Sequence, residues 1–307
     1  MRVAVVDNPV RDPAETALTA VHRACLCRGW PEPDVAETTV AEPGGAQARA
    51  AVEAGADLVV VIGGDGTVRE VAGAMAGTGV PLGVVPRGTA NLFARNLHLP
   101  YSSLERSVAI ALGGEPHDVD LGRARWGTPD GAVGEGAFVV MAGVGQDART
   151  IELVRPVLKK HIRWVAYFVP AVATLGAPLL PMRVGRDGGP VRDMRLWCLL
   201  AGNVGRIPLG IEVLPGARVD DGVLHLAAVG PTHLVGWVPI ALKGLLRWRH
   251  DVPGLAYATA RSVRAETDEP VTIHVDGDEH AGVVWLEARI EPRALRINLP
   301  PGPAPDA

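Results

Sequence analysis

Two short runs in the first third of the chain are built of residues that can handle a phosphate. Gly63-Gly64-Asp65-Gly66-Thr67 follows the apolar run Leu58 to Ile62 and precedes Val68 to Ala76, which reads as a helix. Three glycines let the main chain turn sharply and come close to a bulky anion without Cβ atoms in the way. N–H groups at the start of the following helix then point at phosphate oxygens, and the helix dipole favours the anion. Thr67 can cap that helix or touch a phosphate. Asp65 is out of place beside an anion unless a cation lies between them, which points to Mg²⁺, held directly or through water. On the residues alone, a plain strand-to-helix turn with Asp65 in a local hydrogen bond stands equally open. The run is neither a Walker A loop nor a Gly-x-Gly-x-x-Gly fingerprint.

The second run, Pro86-Arg87-Gly88-Thr89-Ala90-Asn91, again follows an apolar strand (Val80 to Val85) and opens a helix (Ala90 to Leu97). Two such loops on neighbouring strands face one crevice at the carboxyl ends of a parallel sheet, where ligands bind in folds of this kind. Much later, Asp276-Gly277-Asp278 interrupts a β-rich run in a hairpin-like turn that lifts a carboxylate out of the sheet; a plain Asp-Gly turn has the same sequence. Asp220-Asp221-Gly222 sets two carboxylates before a glycine, otherwise most often a solvated turn.

The elements that position these residues alternate at first. Val3 to Val6 reads as a strand that stops at Asp7-Asn8-Pro9, Ala14 to Arg28 as a helix, and Ala46 to Ala54 as a helix ended by Gly55. With Leu58 to Ile62 buried on both faces, strand and crossover helix repeat in the manner of an α/β domain. After about Asp118 the pattern changes to short apolar segments: Phe138 to Ala142, Met194 to Ala201, Gly222 to Val229, Val271 to Val275, Val283 to Ala288 and a last strand at Ala294 to Leu299. A β-rich second domain with a helical insertion near Ile151 to Leu175 accounts for this.

At 48% hydrophobic and 21% charged residues over 307 positions, the chain is an ordinary folded protein and not a disordered one. A net charge of −4 gives no bulk attraction to nucleic acid, and none is expected as a partner. Cys25, Cys27 and Cys198 supply neither a disulfide framework nor a zinc spacing. The apolar start Val3 to Val6 is too short for a secretory leader, and Trp164 to Met182 is broken by three prolines, so a cytoplasmic protein with at most peripheral membrane contact is expected.

Taken in order, these residues resemble the bacterial diacylglycerol kinase-like lipid kinases, which share a catalytic domain with diacylglycerol, sphingosine and ceramide kinases. The resemblance rests on Asn8-Pro9, on Gly63 to Thr67 followed by Glu70, and on Gly88-Thr89-Ala90-Asn91 with Phe93-Ala94-Arg95. It continues through Gly143-Val144-Gly145-Gln146-Asp147-Ala148, Gly202-Asn203, Asp220-Asp221-Gly222 and Val275-Asp276-Gly277-Asp278. It implies an α/β nucleotide-binding domain over residues 1–118 with 292–307, the last strand returning to it, and a β-sandwich-like domain over 119–291, with the active site between the two. By the same resemblance, Asn8, Thr39, Gly63, Gly64, Asp65, Gly66, Thr67, Gly88, Thr89 and Asn91 line an ATP site. Asp276 matches the family's general base, and a carboxylate within reach of the acceptor hydroxyl suits that task. Asp220 and Asp221, with the carbonyl near Val223, resemble a structural Mg²⁺ site.

Three positions depart from the family pattern. Leu92 stands where Asp often follows the Asn of the second loop, Val10-Arg11-Asp12 replaces a small-residue and Lys/Arg stretch, and Asp278 replaces Glu. The implied reaction is transfer of the ATP γ-phosphoryl group to a lipid hydroxyl, most simply that of diacylglycerol. Another lipid alcohol as acceptor, an NAD kinase, and a nucleotide-binding regulator without turnover are the alternatives. A homodimer is compatible with this reading. Two basic-aromatic stretches offer transient contact with the inner face of a membrane: Val157 to Ala177, with Lys159, Lys160, His161 and Arg163 before Trp164, and Trp237 to His250, with Lys243, Arg247, Arg249 and His250. Both also read as helices packed on the second domain with a solvated basic edge.

Overall fold

The computed structural model describes residues 1–12, 16–146, 176–207, 211–246 and 250–302, which fall into two compact units. The first comprises 1–121, 218–222 and 291–307, and the second 122–217 and 223–290. The insertion expected near Ile151 to Leu175, and nearly all of the Val157 to Ala177 stretch, lie outside the described residues.

The first unit is an α/β layer. Strands β1 (Val3–Asp7), β2 (Asp34–Glu37), β3 (Leu58–Gly63) and β4 (Pro81–Pro86) run parallel in the order β2-β1-β3-β4. Burial of every residue of β1 and β3 explains their unbroken apolar sequence, because helices cover both faces of such a sheet. On one face lie α1 (Thr16–Cys27) and α5 (Leu104–Gly113); Ala17, Val21 and Cys25 of the one and Val108, Ala111 and Leu112 of the other share a core with Val5, Val60 and Ile62. Between them in sequence come α2 (Gly45–Glu53), α3 (Asp65–Met75) and the short α4 (Leu92–Asn96). The chain's last strand adds to this sheet, with Arg296 and Ile297 beside Pro81 and Leu82 in parallel.

The second unit is antiparallel. Its strands are the end of β5 (Glu115–Gly127), then β6 (Val133–Phe138), β7 (Met141–Gly145), β8 (Leu180–Arg186), β9 (Arg192–Leu196) and β10 (Cys198–Gly202). A two-residue pair β11 (Arg206–Ile207) and β12 (Ile211–Glu212) precedes β13 (Leu224–Val229), β14 (Leu255–Ala260), β15 (Ser262–Val275) and β16 (Asp278–Leu299). The main path is β14-β13-β10-β7-β15-β16. Along β15 the partner changes from β8, opposite Val263 to Glu266, to β7, opposite Ile273 to Val275; register breaks between Glu266 and Ile273 bend the strand for the change. Phe138, Ala142, Val144, Leu199, Leu226, Ile273 and Leu286 lie in the core that results.

The sequence draws several boundaries differently. Phe138 to Ala142 is not one strand: β6 ends at Phe138 and β7 begins at Met141. Met194 to Ala201 splits at Trp197, whose N–H leaves the strand direction for the Val229 carbonyl at 2.6 Å. Val283 to Ala288 and Ala294 to Leu299 belong to one 22-residue strand, β16. Glu291-Pro292-Arg293 reads as a break, yet Arg293 carries its positive φ of 52° within the strand. Segment Arg218–Gly222, with Asp220, packs with the first unit, although the sequence groups it with the second.

Candidate active site

Three loops leave the carboxyl ends of β1, β3 and β4, and main-chain and side-chain bonds fasten them together. Helix α3 begins at Asp65, three residues earlier than the sequence suggests, so Asp65, Gly66 and Thr67 form its first turn after Gly64. That arrangement leaves the first N–H groups of α3 without partners inside the helix. Thr67 is buried, and its Oγ1 accepts a hydrogen bond from Asn8 Nδ2 at 2.9 Å. Asn8 is thereby tied to the β3 loop through its amide. In the second loop Arg87 N–H donates to the Gly63 carbonyl at 2.7 Å. Asn91, left-handed at φ 48°, grips Gly88 from both sides: its Oδ1 accepts from Gly88 N–H at 2.8 Å and its Nδ2 donates to Gly88 O at 2.9 Å.

The two glycine runs meet at Gly64 and Gly88. A Cβ built on Gly88 would lie 2.7 Å from Gly64 Cα and 2.7 Å from Asn91 Oδ1, so only glycine lets these main chains touch. Around Gly66, by contrast, nothing lies within 4 Å of such a Cβ. A close-packed pair of main chains, an open helix start and an all-amide lining fit a phosphate group. Thr89 is exposed beside this point. Thr39 is exposed at the end of β2, where its Oγ1 accepts from Glu42 N–H at 3.0 Å, and its neighbour Thr38 donates to the Asp7 carbonyl. None of these hydrogen bonds joins Thr39 to the glycine loops.

Asp65 turns toward α4. Its Oδ1 accepts from Phe93 N–H at 3.3 Å. Burial pushes this carboxyl above its ordinary value, outweighing the main-chain N–H groups of Phe93, Leu92, Asn91 and Asp65 itself, which pull it down. Asp65 therefore makes a hydrogen bond, as the plainer of the two sequence readings has it, but with a chain segment 28 residues away.

Two residues of the Val10-Arg11-Asp12 departure acquire roles that sequence reasoning missed. Arg11 Nε lies 3.8 Å from where a Gly64 Cβ would stand, which puts a guanidinium beside the glycine contact. Asp12 is fully buried and caps α1: Thr16 Oγ1 donates to it at 2.8 Å, Ala17 N–H at 2.7 Å and Leu18 N–H at 3.2 Å. It also pairs with Arg87 at 3.1 Å. Burial raises its proton affinity, but Thr16, the two N–H groups and Arg87 together outweigh this and hold the carboxyl below its usual value. An Asp followed four residues later by Thr is the signal that was available.

In the second unit, Asp276 sits at φ 49° in the β15–β16 turn. Its Oδ2 accepts from Val139 N–H at 2.7 Å, and its Oδ1 from Val140 N–H at 2.9 Å and Met141 N–H at 2.8 Å. Asp276 N–H returns to the Met141 carbonyl at 2.9 Å. These bonds engage the N–H groups of 139–141 where β6 gives way to β7. They also fix the carboxylate's orientation.

Asp220 and Asp221 stand near a third carboxylate that the sequence did not single out, the buried Asp120. Its oxygens accept from Gly222 N–H at 2.6 Å and Arg293 N–H at 2.8 Å. Burial first, and the charges of Asp221 and Asp220 after it, raise the Asp120 carboxyl, against the pull of the two N–H groups. Arg218 reaches Asp220 at 3.1 Å. An oxygen-only donor set of this charge suits a hard cation in kind. Among the described residues, however, no three such side chains converge as a metal-binding group, and Arg218 meets the Asp220 charge.

The chain is similar to known proteins over most of its length. Residues 6–124 match the diacylglycerol kinase catalytic domain, and residues 138–299 match the YegS C-terminal NAD kinase beta sandwich-like domain. A diacylglycerol kinase of Mycobacterium tuberculosis is 29% identical over 255 residues, covering 82% of this chain and 79% of that protein. A Pseudomonas fluorescens protein named "Probable lipid kinase YegS-like" is 31% identical over 282 residues, covering 89% and 87%. The crystal structure of a Bacillus anthracis diacylglycerol kinase superposes with a TM-score of 0.69 at 20% identity, covering 98% of this chain and 97% of that one, a likeness of fold. Fold and comparisons together define a phosphotransferase with an alcohol acceptor. The chain belongs to the diacylglycerol kinase and YegS-like family of lipid kinases.

Proposed function

We propose that this lipid kinase transfers the γ-phosphoryl group of ATP to the free hydroxyl of diacylglycerol, giving phosphatidic acid and ADP. The observation that carries the nucleotide half is the contact of Gly64 with Gly88 beside the open start of α3. In this reading Asn8, Thr39, Gly63 to Thr67, Gly88, Thr89 and Asn91 hold the nucleotide. Asn8 and Asn91 act by fixing the loops, and Arg11 adds positive charge at the phosphates. Asp65 would hold the Mg²⁺ that accompanies ATP, which would neutralise phosphate charge there. Asp220, Asp221 and the Val223 carbonyl would be the oxygen donors to a second, structural Mg²⁺, in competition with the Arg218–Asp220 ion pair.

Asp276 serves as the base. Its carboxylate, oriented by three main-chain N–H groups, receives the hydroxyl proton as the oxygen attacks phosphorus and the bond to the β-phosphate oxygen breaks. Asp276→Asn is expected to bind ATP and lose transfer, since an amide nitrogen cannot take the proton. Labelled ATP offered with diacylglycerol, ceramide, sphingosine or NAD tests the acceptor. Preferential labelling of diacylglycerol supports the reading, and labelling of another acceptor in its place ends it.

A further inference from the structure

Each of the three loops at the carboxyl ends of β1, β3 and β4 is bonded to the other two, all within the first unit. Asn8 Nδ2 donates to Thr67 Oγ1 at 2.9 Å and ties the β1 loop to the β3 loop. Arg87 N–H, donating to the Gly63 carbonyl at 2.7 Å, ties the β4 loop to the β3 loop. The Arg87 guanidinium closes the figure. Its Nη2 donates to Asp12 Oδ1 at 3.1 Å and to Thr16 Oγ1 at 3.2 Å, across 75 and 71 positions of sequence. One residue thus supplies two sides of a triangle. Such a frame is rigid, whereas with one side missing the other two leave a hinge.

The frame reaches the glycine contact from both sides. In the β1 loop, Arg11 N–H and Asp12 N–H donate to the Asn8 carbonyl at 2.8 and 3.1 Å, and Val10 N–H donates to Asn8 Oδ1 at 3.2 Å. Asn8 to Asp12 is therefore one tight turn, and whatever holds Asp12 also holds Arg11, whose Nε lies 3.8 Å from where a Gly64 Cβ would stand. In the β4 loop, Arg87 directly precedes Gly88, the glycine that touches Gly64. The guanidinium itself is committed. Asp12 is fully buried and its Oδ2 already serves the N–H groups of Ala17 and Leu18, so withdrawing Arg87 would leave a buried carboxylate without its cation. A cation held in this way sets geometry and does not leave to follow a ligand.

We propose that Arg87 is a positioning residue of the nucleotide site: through Asp12 and Thr16 it holds the β1 loop against the β4 loop, and so sets the spacing of Arg11, Gly64 and Gly88 around the phosphates of ATP. Asp12 lies in Val10-Arg11-Asp12, where this chain departs from the family pattern, so the tie is carried by residues outside the shared motifs. The inference rests on the reading of these loops as the holders of ATP.

The test compares the full chain with Arg87→Met, Arg87→Lys, Asp12→Asn and the double variant Asp12→Asn/Arg87→Met, each below its melting transition. Steady-state kinetics with Mg·ATP and the lipid alcohol that the parent labels separate KM from kcat. Arg87→Met keeps the stem and loses the guanidinium. Its KM for ATP rises about tenfold while kcat stays within about twofold, because loosened loops weaken the hold on ATP equally in the ground and transition states. Arg87→Lys keeps the charge without the fork and recovers part of the loss. The double variant shows the KM of Arg87→Met, since both substitutions act on one bond; KM effects that simply multiply overturn the pairing. A parental KM in Arg87→Met, whatever its melting temperature, overturns the proposal, because a merely structural residue lowers stability and leaves KM in place. A kcat that collapses at parental KM overturns it as well, by putting the guanidinium on the transferred phosphoryl group. If the parent shows no saturable use of ATP, the nucleotide reading fails by itself, and hydrogen exchange decides the frame. The amides of residue 87 and Gly88 then exchange faster in Arg87→Met than in the parent, and equal rates overturn the tie.

Discussion

Substitution Gly88→Ala tests the contact on which the nucleotide site is built. Its new Cβ would stand 2.7 Å from Gly64 Cα and from Asn91 Oδ1. Nonbonded carbons rest at about 3.5–4.0 Å, so the loops must part by about 1 Å. Gly88 has no positive φ, and backbone strain plays no part in the effect. Neither partner gives way cheaply: Gly64 is main chain, held by Val68 N–H at 3.0 Å, and Asn91 is held by both of its bonds to Gly88. A shift of that size stretches the 2.8 Å bond from Gly88 N–H to Asn91 past hydrogen-bond range. Overpacking of about 1–3 kcal/mol and one lost bond of about 0.5–1.5 kcal/mol give about 1.5–4.5 kcal/mol of destabilisation. That corresponds to a fall of roughly 5–12 °C in melting temperature. If these amides bind phosphate as proposed, a 1 Å displacement should also raise the KM for ATP about tenfold or more. The companion Gly66→Ala meets nothing within 4 Å and should melt no lower than the parent, because alanine suits a helix better. Thermal denaturation and ATP titration of the two proteins decide the matter. A Gly88→Ala protein with parental melting temperature and parental KM would refute the loop contact.

Asp65→Asn keeps an acceptor for Phe93 N–H and removes a charge that burial disfavours, so its melting temperature at pH 7 should be no lower than the parent's while Mg·ATP turnover collapses; parental turnover would count against Asp65 at the metal. Arg11→Ala should raise the KM for ATP several-fold and leave the melting temperature in place, a result that fails if Arg11 merely covers surface. Asp12→Asn breaks a buried cap and ion pair and should cost about 2–4 kcal/mol at pH 7 by chemical denaturation. Because the folded Asp12 carboxyl lies below its unfolded value, its contribution is complete above the unfolded value near 4 and is lost as pH falls through the folded one. The gap between parent and variant should therefore close on acidification below about pH 4, and a gap that stays constant there would exclude the linkage.

Much of the first unit was legible because its rules are local. Apolar runs buried on both faces marked β1, β3 and β4, and glycines marked the loops that follow them. What escaped depends on distance along the chain. Nothing near Asp65 announces that its partner is the start of α4, and nothing near Asp276 announces that it bonds 139–141, so Phe138 to Ala142 reads as one strand. Asp120 joins Asp220 and Asp221 from about a hundred positions away, with no spacing to betray it. Asp12 caps α1, while its sequence context reads only as a missing phosphate contact. In the helix Trp237–Leu246 both faces are apolar, so periodicity does not say which of them the protein covers.

Strand β16 has a consequence for how the molecule is made. The first unit needs Arg296 and Ile297 beside β4, and it takes residues 218–222 from the middle of the sequence as well. Its residues 1–121 leave the ribosome early but have one edge of their parallel sheet unfilled until Arg296 and Ile297 have been made. The first unit therefore cannot be completed from residues 1–121 alone. A nascent chain that stops before Leu295 would present the β4 edge as a template for another strand, which makes Arg296 and Ile297 a safeguard against aggregation as much as a structural element.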